Sequence, residues 1–261
     1  MTLARWTGAL AILSVSGRLT LAGPAAQLQT GSPTTPLPSA AEVVARHVTA
    51  IGGAAALKAT ASVQIRGKFE AEAQSPKQIG DLETFAARPG QSVTRVKFTG
   101  MAPIENGYDG KTAWTIEPEA GPRVLSGAYR LQAIDDAHFD ATLHEASFVK
   151  QMTTIEKTTF ARHPAIKMHV VFVSGRERDE FYDAVDGWYL GWEARRETPY
   201  GTVPASMVFS DYKKFGGLMQ ATTIVQRAMG RGAIMRLESF EYNRVPPGAF
   251  DLPQAIKALI R

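Results

Sequence analysis

The chain has 261 residues, is 44% hydrophobic and 21% charged, and contains no cysteine. This composition excludes a disordered or collagen-like chain, and the missing thiols exclude disulfides, thiolate metal sites, cysteine nucleophiles and a lipid-modified N-terminal cysteine. Twenty-nine Lys and Arg against 25 Asp and Glu give a net charge of +4, too small and too dispersed for the clustered basic face that nucleic-acid binding requires.

Met1 to Arg5 is a short basic region, Trp6 to Gly17 is apolar, and Gly23-Pro24-Ala25-Ala26 supplies small residues for cleavage. That is the pattern of a secretory signal. Arg18 interrupts the apolar stretch, which falls short of the ~20 residues a membrane span needs. The expected organisation is a signal peptide over 1–26, a flexible linker over 27–38 (QLQTGSPTTPLP) and one domain over 39–261. The exported protein is expected in the periplasm, without stable membrane insertion. Loss of Arg5 and Arg18 with the leader leaves 27 basic against 25 acidic residues.

Ser39-Ala40-Ala41-Glu42 reads as a capping box. Val44, Val48 and Ile51 then recur at helical spacing, and Gly52-Gly53 ends the helix. His47 lies beside this stripe as a structural, partly buried histidine. From Ala61 the period changes to two. Val63, Ile65, Gly67 and Phe69 alternate with Gln64, Arg66, Lys68 and Glu70, the mark of a strand with one dry face. Further strands are expected at Asp81–Ala87, Ser92–Thr99, Ile104–Tyr108, Thr112–Ile116, Thr153–Phe160, Ile166–Val173, Arg178–Tyr182, Tyr189–Glu197, Ala205–Tyr212, Leu218–Arg227 and Ala233–Tyr242. Turn signals such as Asp109-Gly110, Ser174-Gly175 and Gly230-Arg231-Gly232 separate them. Two short helices, or a helix and a turn, are expected within Gly127–Phe148, with a phase break near Asp135-Asp136. Gln254–Arg261 reads as a short amphipathic helix. The fold class is mainly β (α+β): a curved antiparallel sheet forming an incomplete barrel, covered by N-terminal, mid-chain and C-terminal helices.

Candidate chemistry is sparse. The densest polar cluster is Asp135, Asp136, His138, Asp140, His144 and Glu145. Asp136, Asp140 and His144 at i, i+4 and i+8 offer ligand types for zinc or manganese. No H-E-x-x-H signature accompanies them, and a solvated helix face is the preferred reading, so His138, Asp140 and His144 are expected to be replaceable by alanine with little effect. No G-x-S-x-G elbow or paired carboxylates stand out. No metal, cofactor or catalytic residue is expected.

The apolar inventory points instead to a ligand cavity lined by Phe69, Val96, Phe98, Trp114, Ile116, Met168, Val170, Phe209, Met235 and Leu237. A wide curved sheet under three short helical segments is not filled by its own side chains, and methionine suits variable apolar shapes. Val96 and Phe98 alternate with Arg95 and Lys97 and are expected on the inner face. Val96→Phe is therefore expected to fill the cavity at little cost in stability.

The order of segments resembles the LolA/LolB-type outer-membrane lipoprotein carriers and the wider lipoprotein-sorting-like group. The most recognisable mark is Asn106-Gly107-Tyr108-Asp109-Gly110-Lys111-Thr112-Ala113-Trp114. Phe139-Asp140 with Leu143, then Pro164-Ala165-Ile166-Lys167-Met168, then Ser210-Asp211-Tyr212-Lys213-Lys214 with Gly217-Leu218-Met219 follow in the family's order. The pattern departs at Ala141-Thr142 and Gln220-Ala221. The resemblance covers about residues 39–253. It implies a half-barrel with a helical lid, an apolar cavity for lipid or lipoprotein acyl chains, no catalysis and no cofactor. A sensor of the same fold that binds an envelope protein, a filled structural barrel and a metal-dependent enzyme are the alternatives.

Overall fold

In the structure, a computed structural model, residues 36–72, 78–198 and 201–260 are described. The expected leader and the expected linker up to residue 35 lie outside them. Helix α1 (Ala40–Ala50) begins with the expected capping box. The Glu42 amide donates to Ser39 Oγ at 3.3 Å, and the Ser39 amide donates to Glu42 Oε2 at 2.7 Å. A second helix, α2 (Ala54–Ala59), was not expected from sequence, because AAALKA carries no apolar period.

Thirteen strands follow. The first six are β1 (Ser62–Ala71), β2 (Gln78–Ala87), β3 (Gln91–Phe98), β4 (Ile104–Tyr108), β5 (Ala113–Glu117) and β6 (Gly121–Val124). After helix α3 (Gly127–Asp136) and a 3-10 turn (Ala141–Leu143) come β7 (Val149–Phe160), β8 (His163–Phe172), β9 (Glu177–Asp183), β10 (Tyr189–Thr198), β11 (Gly201–Phe215), β12 (Leu218–Ala228) and β13 (Arg231–Tyr242). The mid-chain segment thus breaks at Asp136, at the expected phase change. Strand β6 was missed by the pattern: it is a four-residue edge strand containing Pro122, a residue tolerated only where no ladder bond is needed. The last helix, α4 (Gln254–Lys257), is shorter than expected.

All strands belong to one antiparallel sheet, in the order β6-β5-β4-β3-β2-β1-β13-β12-β11-β10-β9-β8-β7. Two meanders are joined where β1 pairs with β13. The free edges, β6 and β7, are consecutive in sequence but lie at opposite ends of the sheet. The connection between them, residues 125–148, therefore has to cross the sheet, and this makes it a cover. At the β1–β13 junction Gly67 is required. A Cβ there would sit 2.1 Å from the Arg236 carbonyl oxygen, beside a register shift that bends the sheet.

Side chains alternate between the two faces, and directly opposed residues share one. Val93, Gly107 and Trp114 form one cross-strand row, and Thr94, Asn106 and Thr115 form the next, on the opposite face. The face carrying Thr94 is concave. Its β7–β9 end is packed beneath α1, where Val43, Val44, Phe148, Ile166, Met168, Val170, Phe172 and Tyr182 form the largest core. The convex face is mostly charged, with Lys68–Asp81 and Arg95–Glu105 pairs. At β3–β5 the C-terminal segment covers it through Phe250, Leu252 and Ile256. Among the described residues no helix is long and apolar enough to cross a membrane.

Candidate functional site

The centre of the concave face is apolar and only half-buried. Phe69 stands opposite Met235, Met235 opposite Ile224, and Ile224 opposite Phe209. On the other side Gly80 separates Phe69 from Phe98, and the two rings meet edge to face at 6.1 Å. Beside this row, sharing Met235 with it, lies a cavity of about 730 Å³. Thr94, Ile104 and Asn106 line one wall, Met207, Gln226 and Met235 the other, and Tyr129 and Ala133 of α3 the roof. A smaller cavity of about 230 Å³ lies between Val63, Ile65 and Phe240 of the sheet and His138, Phe139 and Leu143 of the cover. The larger volume falls within the usual range for small-molecule sites, roughly 300–1,000 Å³.

The ten residues expected to line the cavity separate into three groups. Phe69, Val96, Phe98, Phe209, Met235 and Leu237 share the central concave face, and of these Met235 is on the wall of the larger cavity. Val96 is on the expected face but 6% exposed, opposite Leu82 at 4%, so enlarging it would overpack the sheet rather than fill the cavity. Met168 and Val170 are sealed beneath α1, each 0% exposed. Trp114 borders the larger cavity, but its buried side chain packs with Val93 and Ile256, and Ile116 joins that cluster. Alternation within one strand does not say which face another element covers, and for β5 the C-terminal segment covers the Trp114 face.

The expectation of a solvated acidic face at 135–145 is overturned. Asp135, Asp136 and Asp140 instead pin the cover to different strands and turns of the sheet, while Glu145 pairs with Lys58 on α2. Asp140 accepts from Arg88 Nε at 2.6 Å and from a terminal guanidinium nitrogen at 2.7 Å. Asp136 takes both terminal nitrogens of Arg196, and Asp135 pairs with Arg176 at 3.0 Å. His138 stacks on Phe148 with 4.0 Å between ring centres. His144 turns inward and is buried. Asp136, Asp140 and His144 thus diverge, and among the described residues no group of three or more His, Asp or Glu is placed to hold a metal ion.

The partner of His144 is a residue the sequence reading passed over. Glu180 on β9 is 0% exposed. Its Oε2 accepts from His144 Nε2 at 2.8 Å and from the Tyr182 hydroxyl at 2.6 Å, and its Oε1 accepts from Arg178 Nε at 2.6 Å. Burial alone would raise the Glu180 carboxyl; Arg178 and His144 outweigh it and hold the group well below the usual carboxylate range. Burial pushes up the neighbouring Tyr182 and Tyr189 hydroxyls. His144 itself adopts a left-handed backbone, φ 50°, which turns its ring into the core. The stretch Arg178, Glu180, Tyr182 alternates with Glu177, Asp179, Phe181 and Asp183. Both sets are polar, so pattern alone gives no sign of which is inside.

His47 closes the same region from α1. Its Nδ1–H donates to the Gly187 carbonyl at 3.1 Å, and its ring lies edge-on to Tyr182 at 5.5 Å. Burial pushes its pKa down from 6.5 to about 4, with the Gly187 hydrogen bond offsetting only part. Between those values the unfolded chain binds the proton and the folded protein does not, so this histidine lowers stability as pH falls from 6.5 to 4. The loss is about 3 kcal/mol over the window. Denaturant unfolding at pH 7 and pH 4.5 is expected to show a smaller pH-dependent loss in His47→Leu than in the wild type. Equal losses would refute the assignment.

No protein-family model matches the chain, and no curated protein matches it in sequence. Solved structures do share its fold. A LolA superfamily protein from Nitrosomonas europaea superposes with a TM-score of 0.56 at 11% identity, covering 83% of this chain and 99% of that one. A DUF1329 family protein from Desulfovibrio piger gives 0.55 at 11% identity, covering 82% and 98%. A domain provisionally assigned to outer membrane lipoprotein sorting, from Vibrio parahaemolyticus, gives 0.51 at 10% identity, covering 81% and 95%. The chain has a LolA-like fold: an antiparallel sheet, not closed into a barrel, with few helices.

Proposed function

We propose that the protein is a non-catalytic, exported envelope protein that holds the acyl chain of a lipid or lipoprotein in the cavity between the concave sheet and α3. One observation carries this reading. The concave face leaves about 730 Å³ of space under α3, walled in part by Ile104, Met207 and Met235, and the neighbouring Phe69, Phe98, Phe209 and Ile224 are only half-buried. A structural half-barrel would fill that space, because each methylene left uncovered forgoes about 0.8 kcal/mol. Three methionines in the wall, Met101, Met207 and Met235, suit a chain of variable shape. The shared fold with a lipoprotein-sorting domain supports the same reading by analogy. The N-terminal pattern of basic, apolar and small residues supports export.

The test fills the cavity from its roof. Ala133→Trp places a large ring where α3 faces Met207 and Met235 and leaves the sheet untouched. The wild type is expected to bind the uncharged dye N-phenyl-1-naphthylamine with enhanced fluorescence, and the variant is expected to lose this while melting within a few degrees of the wild type. Absence of dye binding by the wild type, together with no lipid released from protein purified from its native envelope, would overturn the proposal.

A further inference from the structure

The smaller cavity, of about 230 Å³, is not isolated from the larger one. Ser92 of β3, on the sheet side, and Asp136 and Ala137, at the end of α3, line both. The Asp136 carboxylate is held by Arg196, so the partition there is formed by the Ser92 and Ala137 side chains, two of the smallest. The smaller cavity is walled by Val63, Ile65 and Phe240 of the sheet, Leu57 of α2, and Phe139 and Leu143 of the cover. All six are only half-buried, although cover and sheet face each other across them, which is the mark of unfilled apolar space. The polar side chains around it are already engaged within the protein. Asp140 is taken by Arg88, the Thr60 hydroxyl donates to the Ala56 carbonyl at 3.2 Å, and Gln220 Nε2 donates to the Tyr242 hydroxyl at 3.0 Å. This chamber suits the end of a hydrocarbon chain and not a polar head.

We infer that the two cavities are chambers of one site, joined at Ser92 and Ala137, and that its ligand is a lipid with two long acyl chains, one of which ends in the smaller chamber. The inference rests on the acyl-chain reading above and deepens it. A methylene takes about the space of one water in the liquid, ~30 Å³. On that measure the larger chamber holds roughly 24 methylenes and the smaller roughly eight. One 16-carbon chain leaves about a third of the larger chamber empty, and two such chains overfill it by about eight methylenes. The smaller chamber supplies that missing space. The larger one is also broad, reaching from Thr94 and Asn106 on one wall to Met207 and Gln226 on the other, so chains can lie side by side in it.

The experiment counts palmitate bound to the delipidated mature chain by native mass spectrometry, below the micelle concentration of palmitate. Two per chain are expected in the wild type. Leu143→Trp, from the cover, and Ile65→Phe, from the sheet, each fill only the smaller chamber and are each expected to bind one. Retained binding of N-phenyl-1-naphthylamine in the larger chamber shows that a variant is folded, and the two substitutions reach the space from opposite walls. A second measurement uses phosphatidylcholine vesicles carrying two-chain and single-chain lipid. The wild type is expected to carry off one two-chain lipid per chain. The variants are expected to take at least about tenfold less of it, since each methylene left in water weakens binding about fourfold, while their uptake of the single-chain lipid is unchanged. If the wild type saturates at one palmitate, or if both folded variants keep two palmitates or full uptake of the two-chain lipid, the two-chain inference falls and the acyl-chain reading stands. If neither palmitate nor the dye binds the wild type, both fall.

Discussion

Glu180→Ala is expected to cost about 3–5 kcal/mol, because it leaves the buried Arg178 charge without its partner. The guanidinium gives Glu180 a hydrogen bond of 2.6 Å from Nε and a second contact from a terminal nitrogen. Removing the carboxylate also frees the Tyr182 hydroxyl and His144, so the cover loses its inward anchor. Urea unfolding measures the loss. A second variant separates charge from shape. If the uncompensated cation is the main penalty, Arg178→Met combined with Glu180→Leu is expected to recover a large part of the stability, since buried ion pairs are often replaceable by apolar residues of similar volume. A Glu180→Ala protein as stable as the wild type would mean that water reaches this carboxylate and that the His144 contact does not hold the cover.

Trp114→Ala is expected to be of similar size for a different reason. Trp114 is 0% exposed and packs with Val93, also 0%, and Ile256, also 0%. Truncating a buried tryptophan leaves a void that a sheet backbone cannot collapse around, at a cost of about 3–5 kcal/mol. The C-terminal segment is held to the convex face chiefly by this cluster, so α4 is expected to lose amide-exchange protection first. Dye affinity of the folded variant is expected to stay at the wild-type value, because the Trp114 side chain packs on the face away from the cavity floor. A variant that keeps its stability but loses the dye would return Trp114 to the ligand and overturn the division of faces.

Much of the fold was legible because it is local. The capping box at Ser39–Glu42 is satisfied within four residues, and it stands as read. Period-two alternation and turn residues located twelve of the thirteen strands, most of them to within a few residues. The strand that escaped, β6, is short and carries a proline, so it has no period to detect. The incomplete closure of the sheet was also anticipated, through the order of motifs and the resemblance to lipoprotein carriers rather than through any single residue.

The sequence by itself determined which residues are apolar, where the backbone turns, and that each strand has a wet and a dry side. Only the tertiary structure decided which dry sides are covered and by what. Alternation paired Val96 with Phe98 and Trp114 with Ile116, and both pairs were expected to line one cavity; the structure puts them on opposite faces of the sheet. Alternation did not show that α1 seals Met168 and Val170, or that the C-terminal segment seals Trp114, because both covers come from residues about a hundred or more positions away. The same limit hid Glu180. Whether a charged residue in an amphipathic strand faces water or the core depends on partners, and its three partners come from β9 itself and from the cover. Burial of a charge costs several kcal/mol unless those partners are in place. Local pattern reads the sides of a strand, and long-range contact sets the free energy of each side.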